Sequence, residues 1–190
     1  MMFRPGFPTL LMWLLLFQTW QIGAAAKGPR QARITLFVAE AECPACAYSV
    51  MNSLRGLDGV TGLSEGVAVE VWVNVTYDPG KIAIPQLSRS VWKAYPLHGT
   101  PYQAYLKLRV PDYDREDNAQ FVNAILARWQ PRIKATLVNR KEGRFILKLP
   151  VPKQRSSKGE KGWRPEEFLE AIRTARPKGP LLRAQLVSEN

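Results

Sequence analysis

Valine occupies every second position from Val67 to Val75. A period of two matches the pleat of a β-strand and no helix, so the run predicts a strand with one buried face. The same logic reads the segment before it. Ile34, Leu36 and Val38 alternate and predict a strand, with Cys43 and Cys46 in the short loop that follows. From Ala47 the spacing turns helical: Val50, Leu54 and Leu57 share one face, and Gly59 is the expected stop. A short strand is expected around Thr61 to Ser64. Asp78-Pro79-Gly80 reads as a turn. Leu87 and Val91 then mark a second helix that ends before Pro96, and a strand from Tyr102 to Val110 closes the order β-α-β-β-α-β.

The second half repeats this plan. Asp114 to Trp129 predicts an amphipathic helix with Phe121, Ile125 and Trp129 on one face. Ile133 to Asn139 and Arg144 to Val151 predict strands joined by Lys141-Glu142-Gly143. Lys153 to Lys161 is a Lys/Ser/Gly-rich loop. Pro165 opens a helix carrying Phe168, Leu169 and Ile172, and Leu181 to Val187 predicts a last strand. The expected architecture is α+β: two ferredoxin-like βαββαβ units in tandem, residues 27–104 and 105–190. Both units claim the strand from Tyr102 to Val110. Asp112, Asp114 and Glu116, near the start of the predicted third helix, are expected as caps, with a hard-cation site as the alternative.

Charge separates the two halves. The formal net charge is +11; residues 27–104 carry seven Lys/Arg against six Asp/Glu, and residues 105–190 carry nineteen against ten. A basic half suits an acidic partner, and the plainer alternative is a solvated surface. Residues 1–26 form no part of the expected fold. Arg4 supplies a positive start, Phe7 to Trp20 an apolar stretch of about 14 residues, and Gly23 to Ala26 the small residues of a cleavage site, which together read as a secretory signal peptide. A retained anchor is the alternative, although a bilayer core takes roughly 20 residues of helix. No further transmembrane candidate follows, and the expected location is periplasmic or secreted. Export argues against a nucleic-acid partner. Asn74-Val75-Thr76 is a glycosylation sequon inside a predicted strand. No constellation of His, Ser and carboxylates suggests a hydrolase.

The two cysteines stand together as Cys43-Pro44-Ala45-Cys46, so they cannot staple distant segments. In an exported chain the pair is a local disulfide, a redox couple or a metal clip. Placed between strand and helix, both sulfurs lie near unpaired amides and the positive end of the helix dipole, which favour thiolate. Two thiolates suit Cu(I), Zn(II), Hg(II) or Cd(II), and with only two strong ligands the coordination sphere stays open for transfer.

The surroundings sharpen this. Cys46 is followed at helical spacing by Val50, Leu54, Leu57, Gly59 and Val60, and later by Val75-Thr76-Tyr77-Asp78-Pro79, Leu87 and Val91. Over residues 33–96 the chain resembles the heavy-metal-associated domain family, which includes copper chaperones and the amino-terminal modules of metal-pumping ATPases. The resemblance implies a ferredoxin-like fold, Cys43 and Cys46 as soft-metal ligands with Cu(I) foremost, and a protein that donates or accepts the metal. It also implies that the loop after the second helix lies beside the metal, which brings in Tyr95 and His98 as a neighbouring group or third ligand. Two positions depart from the pattern: Ala41 stands where the family has a buried methionine, and Ala94-Tyr95 where it has Gly-Tyr. The second half would be a copy without cysteines. The rival is a thioredoxin-like thiol-disulfide oxidoreductase using the same pair, with Pro101 of Gly99-Thr100-Pro101 as its cis-proline.

Overall fold

The computed structural model describes residues 31–67, 69–130, 132–151 and 162–189. The expected signal peptide and the Lys/Ser/Gly-rich loop lie outside them. Eleven elements run in the order β1 (Ala32–Ala39), α1 (Pro44–Arg55), β2 (Val60–Val67), β3 (Val71–Tyr77), α2 (Ile84–Lys93), β4 (Gln103–Arg109), α3 (Asn118–Arg128), β5 (Lys134–Asn139), β6 (Arg144–Lys148), α4 (Pro165–Arg173) and β7 (Gln185–Leu186). They build one seven-stranded sheet ordered β2-β3-β1-β4-β6-β5, with β7 also on β4. Every pairing is antiparallel. The order β2-β3-β1-β4 is that of a ferredoxin-like unit, and β5-β6-β4-β7 repeats it.

One strand serves both patterns. Along one edge of β4, residues 103–105 pair with β1, and Leu108 and Arg109 pair with β7; the whole of the other edge from Tyr105 to Arg109 pairs with β6. A boundary between residues 104 and 105 therefore falls inside a strand. The core follows from the same arrangement, because Leu106 and Leu108 belong to a single apolar cluster that runs from Ile34 and Leu36 of β1 through Phe145, Leu147 and Phe168 to Ala184. Such burial, at roughly 1.5–3 kcal/mol for each large apolar side chain, ties the two halves energetically as well as by hydrogen bonds.

The remaining departures have local causes. The valine run is not one strand. Val67 ends β2, Val71 opens β3, and Val69 at the hairpin tip is 99% exposed. Alternation continued through a tight hairpin cannot be told by period from a single long strand. Helix α1 begins at Pro44 rather than Ala47, since proline at the first helical position needs no amide partner. It stops at Gly56, while Gly59 takes φ +109 in the turn beyond. Helix α3 starts at Asn118, four residues later than expected, and buries Val122, Ile125 and Leu126. Trp129 instead packs edge-on against Trp163 and Phe168, joining α3 to α4.

Asp112, Asp114 and Glu116 cap no helix; they pair with Arg183, Arg140 and Arg176 respectively. Each carboxylate is thus neutralised by an arginine distant in sequence, which leaves no reason to place a hard cation there. The last strand shrinks to two residues. Asn74 is buried and bonded to Thr35, Ser64 and the Glu189 carbonyl, so its sequon is closed to modification in the folded chain. Among the described residues no helix is long and apolar enough to cross a membrane.

Candidate metal centre

The site starts from the entry to α1. Cys43 is the N-cap, with extended φ −143 and ψ 156, and its backbone carbonyl accepts from the amides of Cys46 (3.0 Å) and Ala47 (3.3 Å). Its sulfur accepts from the Cys46 amide at 3.2 Å. Cys46 therefore belongs to the first helical turn, not to a preceding loop. The three-residue interval that gave the helix its cap also turns the two sulfurs to the same end of the helix, where unpaired amides and the dipole stabilise negative charge. Both cysteines are free; Cys46 is fully buried and Cys43 is half-buried.

The segment between α2 and β4 covers this helix end, and two contacts hold it there. The Ser49 hydroxyl of α1 donates to the Tyr95 carbonyl at 2.8 Å. The Leu97 amide donates to the hydroxyl of fully buried Tyr102 at 3.1 Å. His98 lies between those anchors and Gly99, whose φ of +82 makes the turn. As a result the ligand atoms of Cys43, Cys46 and His98 all lie within 4.8 Å of one another. A second pair of contacts sets the helices themselves: Ser53 donates to the Ser90 carbonyl at 2.7 Å and Ser90 to the Ser53 carbonyl at 2.8 Å.

The two thiols ionise as a pair. Burial acts on Cys46 in the direction of the neutral thiol, but hydrogen bonds from Cys43, Tyr102 and the amides of Glu42 and Cys43 outweigh it and bring the group down to about 7 from 9.0. Cys43 moves up, first because its proton is shared with Cys46. The Tyr102 phenol is raised, by burial above all, and it stays a donor to Cys46. The pair thus gives up its first proton around pH 7, and the hydrogen bonds at Cys46 favour the charge there.

Of the residues expected from sequence, Cys43, Cys46 and His98 come together. The Tyr95 side chain is 75% exposed, and its part in the site is its backbone carbonyl. Ala41 is buried, and its small side chain sits where a methionine was anticipated. Tyr102 and Ser49 were not foreseen. Tyr102 stands at the head of an alternating strand, where an aromatic residue reads as core; Ser49 reads as a solvated helix position. Pro101 is exposed, and every strand pairing among the described residues is antiparallel, so the thioredoxin-like reading loses its scaffold.

No protein-family model matches the chain, and no curated protein matches it significantly. Among solved structures, it resembles the N-terminal soluble domains of Bacillus subtilis CopA at 18% identity and a TM-score of 0.36, over 84% of this chain and 95% of that one. It also resembles the water-soluble region of the P-type ATPase CopA from Bacillus subtilis at 23% identity and a TM-score of 0.35, over 64% and 77%. Both likenesses fall below 25% identity, and the chemistry of the site has to be read from its own side chains.

Proposed function

We propose that the chain binds a soft metal ion, Cu(I) foremost and Hg(II) or Zn(II) as alternatives, through Cys43, Cys46 and His98, and exchanges it with a partner protein. One observation carries this reading: two sulfurs and an imidazole, from separate segments, have their ligand atoms within 4.8 Å of each other. Two thiolates with a neutral imidazole are a soft donor set, and three ligands leave room for an entering one. Accessibility then orders the exchange. His98 is exposed, Cys43 half-buried and Cys46 buried, so a partner's thiolate attacks from the His98–Cys43 side. Cys46 holds the ion last. The transfer makes and breaks metal–sulfur and metal–nitrogen bonds with no change in oxidation state. The partner is accordingly a metal donor or acceptor that presents thiolates of its own. The apolar stretch from Phe7 to Trp20 behind Arg4 supports a periplasmic or secreted setting.

The test is anaerobic titration of the reduced protein with Cu(I), Hg(II) and Zn(II), beside the Cys43→Ser/Cys46→Ser variant. The expected result is one ion per chain for the native protein and none retained by the variant in the presence of a competing chelator. Equal stoichiometry in the two proteins would discard the reading.

A further inference from the structure

The face of the sheet away from the core cluster has an unusual charge pattern between β4, β6 and β5. Register places Arg109 directly opposite Arg144, and Lys148 directly opposite Lys134. Like charges in directly opposed positions destabilise a sheet, because their Cβ atoms lie about 5 Å apart. Here it occurs twice, at the two ends of one short strand. Only part of this charge is compensated: Glu142 pairs with Arg144, and Glu70 pairs with Lys107 between the two clusters. Arg109, Lys134 and Lys148 have no carboxylate partner among the described residues. All three are exposed.

Between the cationic ends lies an apolar strip. Ile146 points to the same side as Arg144 and Lys148. Val138, 60% exposed at the irregularity in the β5–β6 pairing, lies with Ile146, Lys107, Arg109 and Arg144 along one shallow depression, whose remaining wall is formed by Glu70 and the chain's own residues 185–189, while Lys134 and Lys148 lie beyond its end. We infer that this face docks an extended acidic segment of a partner protein, one that sets a carboxylate on either side of an apolar residue. At about 3.4 Å per residue, Arg144 and Lys148 each sit about 7 Å from Ile146 along β6, which matches a segment with acidic residues two positions before and two after its apolar one. The apolar centre argues for a polypeptide rather than a nucleic acid or an acidic sugar, which would leave it uncovered. The neighbouring rings argue the same way. Phe37 and Tyr105 are buried, stacked on one another at 5.5 Å, and Lys107 covers Phe37 at 4.0 Å, so they offer no platform for a base.

This inference is independent of the metal reading and is tested without metal. The probe is a fluorescent peptide with the core Glu-Thr-Val-Thr-Glu, titrated with the full chain at low ionic strength and followed by anisotropy. Arg109→Gln/Arg144→Gln and Lys134→Gln/Lys148→Gln are each expected to weaken binding about fivefold or more. Both are expected to keep or raise the melting temperature, since each removes a like-charge pair. A control peptide with Ser in place of Val is expected to bind more weakly. Equal binding by native protein and both variants overturns the inference. Equal binding of the control peptide also overturns it, marking a general polyanion surface, and a lower melting temperature in either variant removes the like-charge argument.

Discussion

The hydroxyl of Tyr102 faces Cys46 and favours its thiolate. Because that hydroxyl also accepts from the Leu97 amide at 3.1 Å, a single buried side chain links the ionised thiol to the segment that carries His98. Tyr102 thus bears on both the charge of one ligand and the position of another.

Tyr102→Phe removes the link and keeps the ring. A hydrogen bond to a charged group is worth about 1.5 kcal/mol, or about one unit of ionisation. The first thiolate, which forms at about 7 in the native pair, should therefore form about one unit higher, as read from thiolate ultraviolet absorbance against pH. The sign for stability follows. A thiol held below its ordinary value stabilises the fold above that value, and the contribution disappears as the pH falls through the lowered one. Unfolding titrations should accordingly show the variant less stable at every pH, from the lost Leu97 bond, with the native protein's advantage growing further between about pH 7 and 8.

His98→Ala leaves both sulfurs in place. Stoichiometry should hold while affinity for Cu(I) falls roughly tenfold, about 1.4 kcal/mol, in competition with a chromogenic chelator. An unchanged affinity would remove His98 from the ligand set and leave the cysteine pair as the site.

A chain ending at residue 104 lacks most of β4, including Leu106 and Leu108, and should show no cooperative unfolding by circular dichroism. In the full chain, Leu106→Ala should cost about 2–5 kcal/mol. Amide exchange in β1 and β6 should accelerate together, since both strands pair with β4.

Asp112 receives two hydrogen bonds from the Arg183 guanidinium, at 2.9 and 2.8 Å, and a third from the Arg183 amide at 3.4 Å, and the Asp112 carbonyl accepts from Asn118 at 2.8 Å. The Arg183 bond, ahead of a smaller opposing effect of burial, holds the carboxyl below its ordinary 3.8. Asp112→Asn should lower the melting temperature at pH 7. The difference should shrink as the pH falls below 3.8 and protonation removes the same charge from the native protein.

The elements around the cysteines were readable because each is a local event. Alternation at Ile34, Leu36 and Val38 marks β1, helical spacing at Val50 and Leu54 marks α1, and Leu87 and Val91 mark α2. Their ends were less readable. Pro44 moves the start of α1 ahead of the second cysteine, and the valine run hides a hairpin at Val69, because period alone carries no information about where a chain reverses. The acidic residues before α3 looked like caps because their partners, Arg140, Arg176 and Arg183, are 26, 60 and 71 residues away.

Order along the chain, the pairing of two sulfurs at one helix entrance and the imbalance of charge between the halves all depend on neighbours in sequence, and the sequence alone determines them. The sharing of β4 by both halves, the arrival of His98 beside the sulfurs, the role of Tyr102 and the opposition of Arg109 to Arg144 depend on which strands lie side by side. That choice is made by burying one common apolar cluster, a property of the whole chain that no local spacing records.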